Sequence, residues 1–156
     1  MRFAGRTALA AVVVCTAAIA ADADKPKKQA GTKETVLAAD EVKFSSLPGM
    51  PSGVKKSPPL WGDESKAHAS FTRFDAGYKV PLHSHSLPIR VVVTKGTLLY
   101  QTEGGEERKL EPGSYLLEPA GQKHTTACAA GTDCVFLEEM NGKFDIKMVD
   151  AKSAGK

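Results

Sequence analysis

The chain has 156 residues, 42% of them hydrophobic, with 21 lysines and arginines against 18 acids and a formal charge of +3. That length holds one domain with short tails. So small a charge gives no electrostatic case for nucleic acid or an anionic membrane surface as partner.

The N-terminus reads as a targeting segment. Met1–Arg6 is short and basic, Ala8–Ala20 is apolar, and Ala18-Ile19-Ala20 offers small residues to a signal peptidase, so residues 1–20 are expected to be a cleaved signal peptide. A lipoprotein would need a small residue before Cys15, where Val14 stands. Cleavage removes Arg2 and Arg6 and no acid, lowering the formal charge from +3 to +1. The mature protein is then expected in the periplasm or outside the cell, without a membrane segment.

Residues 21–38 are rich in Lys, Ala, Asp and Thr without periodicity and read as a disordered linker. Residues 39–150 form the predicted domain. Val42–Phe44 is a candidate first strand, and the Pro/Gly-rich stretches 47–53 and 57–59 are loops. Strands are predicted over Ala67–Phe74, Ile89–Thr94, Thr97–Thr102, Glu107–Leu110, Ser114–Glu118, Lys123–Cys128, Cys134–Glu139 and Lys143–Val149, divided by turns such as Lys95-Gly96 and Pro112-Gly113. Short strands at this spacing indicate an all-β antiparallel sandwich or barrel. Residues 151–156 are a polar tail. With Cys15 gone, Cys128 and Cys134 remain, five residues apart across a predicted hairpin tip. An oxidising destination favours a disulfide between them, with two buried thiols as the alternative.

Three of the four histidines lie in two glycine-punctuated segments. The first runs Gly77-Tyr-Lys-Val-Pro-Leu-His83-Ser-His85 and on through Arg90 to Gly96. The second runs Gly113-Ser-Tyr-Leu-Leu-Glu-Pro119-Ala-Gly121-Gln-Lys-His124. Residues two apart on a strand share a face and stand about 6.6 Å apart along it. Two such imidazoles can meet one ion at about 2.0–2.1 Å, with a third supplied by another strand. His83, His85 and His124 are therefore the predicted metal ligands, leaving coordination positions open to water or substrate.

These two segments resemble the double motif of the cupins, and the resemblance covers about residues 60–140. It implies a double-stranded β-helix, a jelly-roll-like barrel, with a metal near its mouth. Leu60-Trp-Gly-Asp63, the Phe71 strand and the Gly113-Ser-Tyr115 turn are more narrowly similar to small single-domain bacterial cupins. The chain departs from the cupin pattern at two places. Arg90 stands where a fourth, glutamate ligand is expected, and Cys128 takes a terminal asparagine position. A three-histidine set without carboxylate is similar to cupins of the thiol dioxygenase type. That implies Fe(II) first, with Zn, Mn or Ni as alternatives, and weakens the case for hard, oxygen-preferring ions. Pairing of two barrels into a homodimer is implied by the same analogy.

Arg90 would grip a substrate carboxylate if it faced the cavity; otherwise it lies on the outer face, depending on the register after Pro88. Glu118 could be a ligand or general base, but pairing with a surface lysine is the favoured expectation. Tyr78, Tyr100 and Tyr115 are wall residues that could offer a phenol to the site, and Tyr100 is a candidate catalytic group. His68 is expected on the solvated surface and Trp61 in loop packing. The leading expectation is an exported metal-dependent enzyme of oxygenase type acting on a small molecule. An isomerase would need a general base that no motif identifies. The alternative is a non-catalytic module that binds a metal or small anionic ligand.

Overall fold

The computed structural model describes residues 34–47 and 50–149. The expected signal peptide 1–20, residues 21–33 of the expected linker and the tail 151–156 lie outside the described residues. The chain divides into two units, Met1–Thr35 and Val36–Lys156, and all the described strands belong to the second.

In chain order the strands are β1 (Ser45–Ser46), β2 (Val54–Lys56), β3 (Trp61–Gly62), β4 (Ala67–Phe74), β5 (Lys79–Ser84) and β6 (Ile89–Lys95). They continue with β7 (Leu98–Thr102), β8 (Arg108–Leu110), β9 (Tyr115–Glu118), β10 (His124–Cys128), β11 (Cys134–Asn141) and β12 (Lys147–Met148). They form two antiparallel sheets. One runs β1-β2-β4-β11-β6-β9, with β3 also paired to β4; the other runs β12-β5-β10-β7-β8. This is the expected all-β cupin barrel.

Alternation decides which side chains go inside. On β6 the buried residues are Ile89, Val91 and Val93, whereas Arg90 and Val92 are only partly covered. On β11 the inward phase is Cys134, Phe136, Glu138 and Met140. The larger sheet meets Val80, Leu98 and Cys128 of the smaller one in a single apolar cluster. Burying each such side chain stabilises the fold by about 1.5–3 kcal/mol. β-Branched residues suit these positions because their stiff rotamers fill a pleated surface.

Two expected strands differ. Residues 42–44 are not a strand, and pairing begins one residue later at Ser45. Of the run 143–149, only Lys147–Met148 pairs, with β5. Before it, Phe144 and Ile146 line an interior cavity and the Asp145 carbonyl accepts a side-chain hydrogen bond, so that backbone serves the interior rather than a ladder.

Cys128 and Cys134 are joined, both buried, closing the β10–β11 connection. Gly96, at φ 75°, turns β6 into β7 against this bond, where a Cβ would stand 2.7 Å from the Asp133 carbonyl oxygen. Replacing both cysteines by alanine is expected to lower the unfolding free energy by about 2 kcal/mol, the loop-closure value for so short a loop. Urea titration of the double variant beside the oxidised parent checks this.

Candidate metal centre

His83 lies near the end of β5, His85 just beyond it, and His124 opens β10. β5 and β10 are neighbours, with His124 directly opposite His83 and a shift of register between His124 and Thr126. Gly121, at φ 74°, makes the turn before His124, and its N–H donates to the His85 carbonyl at 2.8 Å. Only a residue free to adopt that φ lets both strands end at the same place. The ring centroids of His124 stand 4.2 Å from His83 and 5.3 Å from His85.

Each Nδ1 meets a main-chain carbonyl: His83 that of Pro81 at 2.7 Å, His124 that of Gln122 at 2.9 Å, and His85 that of Asp145. A carbonyl can only accept, so each Nδ1 carries the proton and each Nε2 is left with a lone pair. The ligand atoms of the three residues lie within 4.8 Å of one another. His124 Nε2 is buried without a hydrogen-bond partner. An orphaned buried acceptor costs free energy unless something binds it. Burial pushes the His83 pKa down to about 4, helped by the neighbouring imidazoles, and that of His124 down as well. The three-histidine group therefore fits a metal ion.

Across the barrel stands Glu118, at the end of β9. Its carboxyl oxygens lie 3.6 Å from His124 Nε2 and 3.8 Å from His85 Nε2. Donors at about 2.1 Å from a shared tetrahedral ion stand about 3.4 Å apart, and Glu118 comes near that distance to two of the three histidines. The expected pairing of Glu118 with a surface lysine is corrected: the residue is buried, opposite Ile89. Burial, and then the nearby Glu138 carboxylate, push its pKa up to about 8.

Arg90 is also corrected as a site residue. β6 keeps its register after Pro88, so Ile89 turns inward and Arg90 outward, where its Nη1 lies 3.6 Å from Glu139 Oε1. Tyr100 is buried with its ring 5.1 Å from His124, and burial raises its phenol pKa to about 12, so it remains a protonated wall of the site. Tyr115 is exposed and Tyr78 packs edge-on against Phe74. His68, expected in solvent, is buried, its Nδ1–H donating to the Lys66 carbonyl at 2.8 Å.

A second polar group shares the interior, and no motif announced it. Lys56 Nζ lies 3.0 Å from Glu138 Oε2, and the Thr72 hydroxyl donates to the same oxygen. Burial alone would raise the Glu138 pKa, but the Lys56 ammonium and the Thr72 hydroxyl outweigh it and hold the carboxylate below its ordinary range. The signal was present in the alternation: Glu138 falls between Phe136 and Met140 on the inward phase of its strand. His83, His85, Glu118, Glu138 and Lys56 all line one cavity of about 40 Å³.

Residues 34–156 match the family described as a domain of unknown function, DUF4437. Over 80 residues the chain is 34% identical to an (R)-mandelonitrile lyase of Granulicella tundricola, a match spanning 49% of this chain and 60% of that protein. Its fold is similar to the polyketide cyclase RemF of Streptomyces resistomycificus, with a TM-score of 0.64, 16% identity, and 76% of this chain and 87% of that one covered. It is also similar to an RmlC-like cupin of Shewanella frigidimarina, with a TM-score of 0.55, 17% identity, and 70% and 92% covered. The chain belongs to the DUF4437 family and has the cupin fold.

Proposed function

We propose that this protein is a metal-dependent cupin enzyme that acts on a small molecule by moving protons, a reaction of lyase or isomerase type. The observation that carries the reading is the buried, unpartnered Nε2 of His124 beside two further imidazoles whose Nδ1 protons are all committed to main-chain carbonyls. His83, His85 and His124 would hold the ion, with Glu118 as the fourth donor. When bound, the ion supplies Lewis acidity to a carbonyl or hydroxyl oxygen. Fe(II) is the first candidate, with Zn, Mn or Ni as alternatives. The Glu118 carboxylate removes the argument against oxygen-preferring ions that a purely histidine set had suggested.

The reaction class rests on Glu138, which Lys56 and Thr72 hold ionised in the same cavity as His83 and His85. Glu118 gives up its proton when it takes the ion, so its part is that of a ligand. Glu138 lines the cavity and is placed to accept a proton from a bound molecule, and Lys56 steadies the carboxylate before and after. This is the base that the sequence does not reveal. The lyase named among the relatives supports the same class.

A second reading is an oxygenase, favoured by the three-histidine set. One experiment separates the two. Natively exported protein is assayed for metal, then incubated in D2O with a panel of small hydroxy acids, aldehydes, phenols and thiols while C–H exchange and oxygen uptake are followed. Stoichiometric metal with exchange and no oxygen uptake is expected. Oxygen uptake by the iron-loaded protein would move the assignment to an oxygenase, and metal with neither response to a binding or sensing module. Metal-free protein that cannot be reconstituted would remove all three.

Export is part of the proposal, supported by the joined Cys128 and Cys134. N-terminal sequencing of the mature protein should begin at Ala21; a retained Met1 would refute it.

A further inference from the structure

The small cavity at the histidines has a larger neighbour. An outer pocket of about 290 Å³ shares with it the walls Leu47, Met50, Lys56, Phe144 and Ile146. Four of these five are apolar, and the fifth is a lysine whose side chain is only 8% exposed. Phe144 bridges the two chambers, its ring 5.3 Å from that of His85 and 4.5 Å from the Lys56 ammonium.

An ammonium has three donors. Among the described residues Lys56 meets one acceptor, Glu138, and the face of Phe144. Lys56 is, among the described residues, the sole ammonium or guanidinium lining the inner cavity. Taking a lysine and a glutamate out of water is costly for both ions, and apolar replacement of such a pair is often neutral or stabilising. Packing therefore does not account for Lys56 at this position. Its remaining donors and the apolar walls beside it describe a ligand with two unlike ends.

We propose that the two cavities are one binding site for a small molecule with a compact apolar body and an anionic, oxygen-bearing head, and that Lys56 recognises the head. The body lies against Leu47, Met50, Phe144 and Ile146, and the head reaches from Lys56 toward the histidines. The inference rests on the enzyme reading above and names its substrate class.

Calorimetric titration with benzoate, acetate and benzyl alcohol, on zinc-loaded and on metal-free protein, tests it. Benzoate should bind about tenfold more tightly than acetate, which lacks the body, or benzyl alcohol, which lacks the charge. Lys56→Met should weaken benzoate about tenfold while zinc content by elemental analysis is unchanged, and Lys56→Arg should recover part of the loss. Equal benzoate affinity in Lys56→Met, equal affinity for acetate, or no benzoate binding would overturn the proposal. Should Lys56→Met fail to fold, the double variant Lys56→Met/Glu138→Leu removes both charges and is held to the same outcomes. Metal-free protein that takes up no zinc yet binds benzoate through Lys56 would uphold this inference and remove the metal reading. Zinc-loaded protein whose benzoate affinity ignores Lys56 would do the reverse.

Discussion

His124→Ala is expected to weaken metal retention more than a hundredfold, so that protein purified through a chelating wash carries none. Even groups that merely orient metal ligands cost 10- to 100-fold when removed, and His124 is a ligand itself. The rest of the site should survive, because His83 and His85 keep their carbonyl partners on Pro81 and Asp145. Loss of the imidazole also relieves a buried acceptor left without a partner. Metal-free His124→Ala should therefore unfold close to metal-free parent, whereas the zinc-loaded parent stands well above both. Elemental analysis and thermal melts with and without EDTA give both numbers. A variant that retained stoichiometric zinc would show that the three imidazoles do not share an ion.

The second large effect is on pH dependence. Folding raises the Glu118 pKa from 4.5 to about 8, so over that interval the folded chain holds a proton that the unfolded chain has released. Stability contributed by this group is full below pH 4.5 and falls as pH climbs to about 8. His83 acts in the opposite sense. Its pKa falls from 6.5 to about 4, so the unfolded chain binds the extra proton and stability rises over that range. The two oppose each other at acid pH, and above 6.5 only Glu118 still acts. The metal-free protein should therefore lose stability between pH 6.5 and 8, and Glu118→Gln should abolish that decline. Melting temperatures in EDTA at the two ends of the interval decide it. Zinc binding below pH 8 should also release a proton from Glu118, visible as a buffer-dependent heat. A parent whose melting point rises across the interval would contradict the buried, proton-bearing carboxyl.

Much of this protein was legible along the chain because period-two alternation is a local property. Ile89, Val91 and Val93 declare an inward face without reference to any other strand, and so do Phe136 and Met140. The histidines were legible for the same reason, since His83 and His85 share a face by spacing alone and Gly121 marks the turn that delivers His124. The 143–149 segment was misread because its apolar residues serve a cavity instead of a ladder. Arg90 was open because a one-residue slip after Pro88 would have turned it inward. The pairing of Ile89 with Glu118 closed that question.

What the sequence determined by itself is therefore a small antiparallel barrel with three imidazoles at one end of it, because strand periodicity and turn glycines act over a few residues. What only the tertiary structure decided is the company those imidazoles keep. His83 and His124 stand on one sheet and His85 just beyond its strand β5, while Glu118, Glu138 and Lys56 come from β9, β11 and β2 of the other. Which side chains meet across the interior depends on how the two sheets are laid over each other, and no spacing within a single strand encodes that.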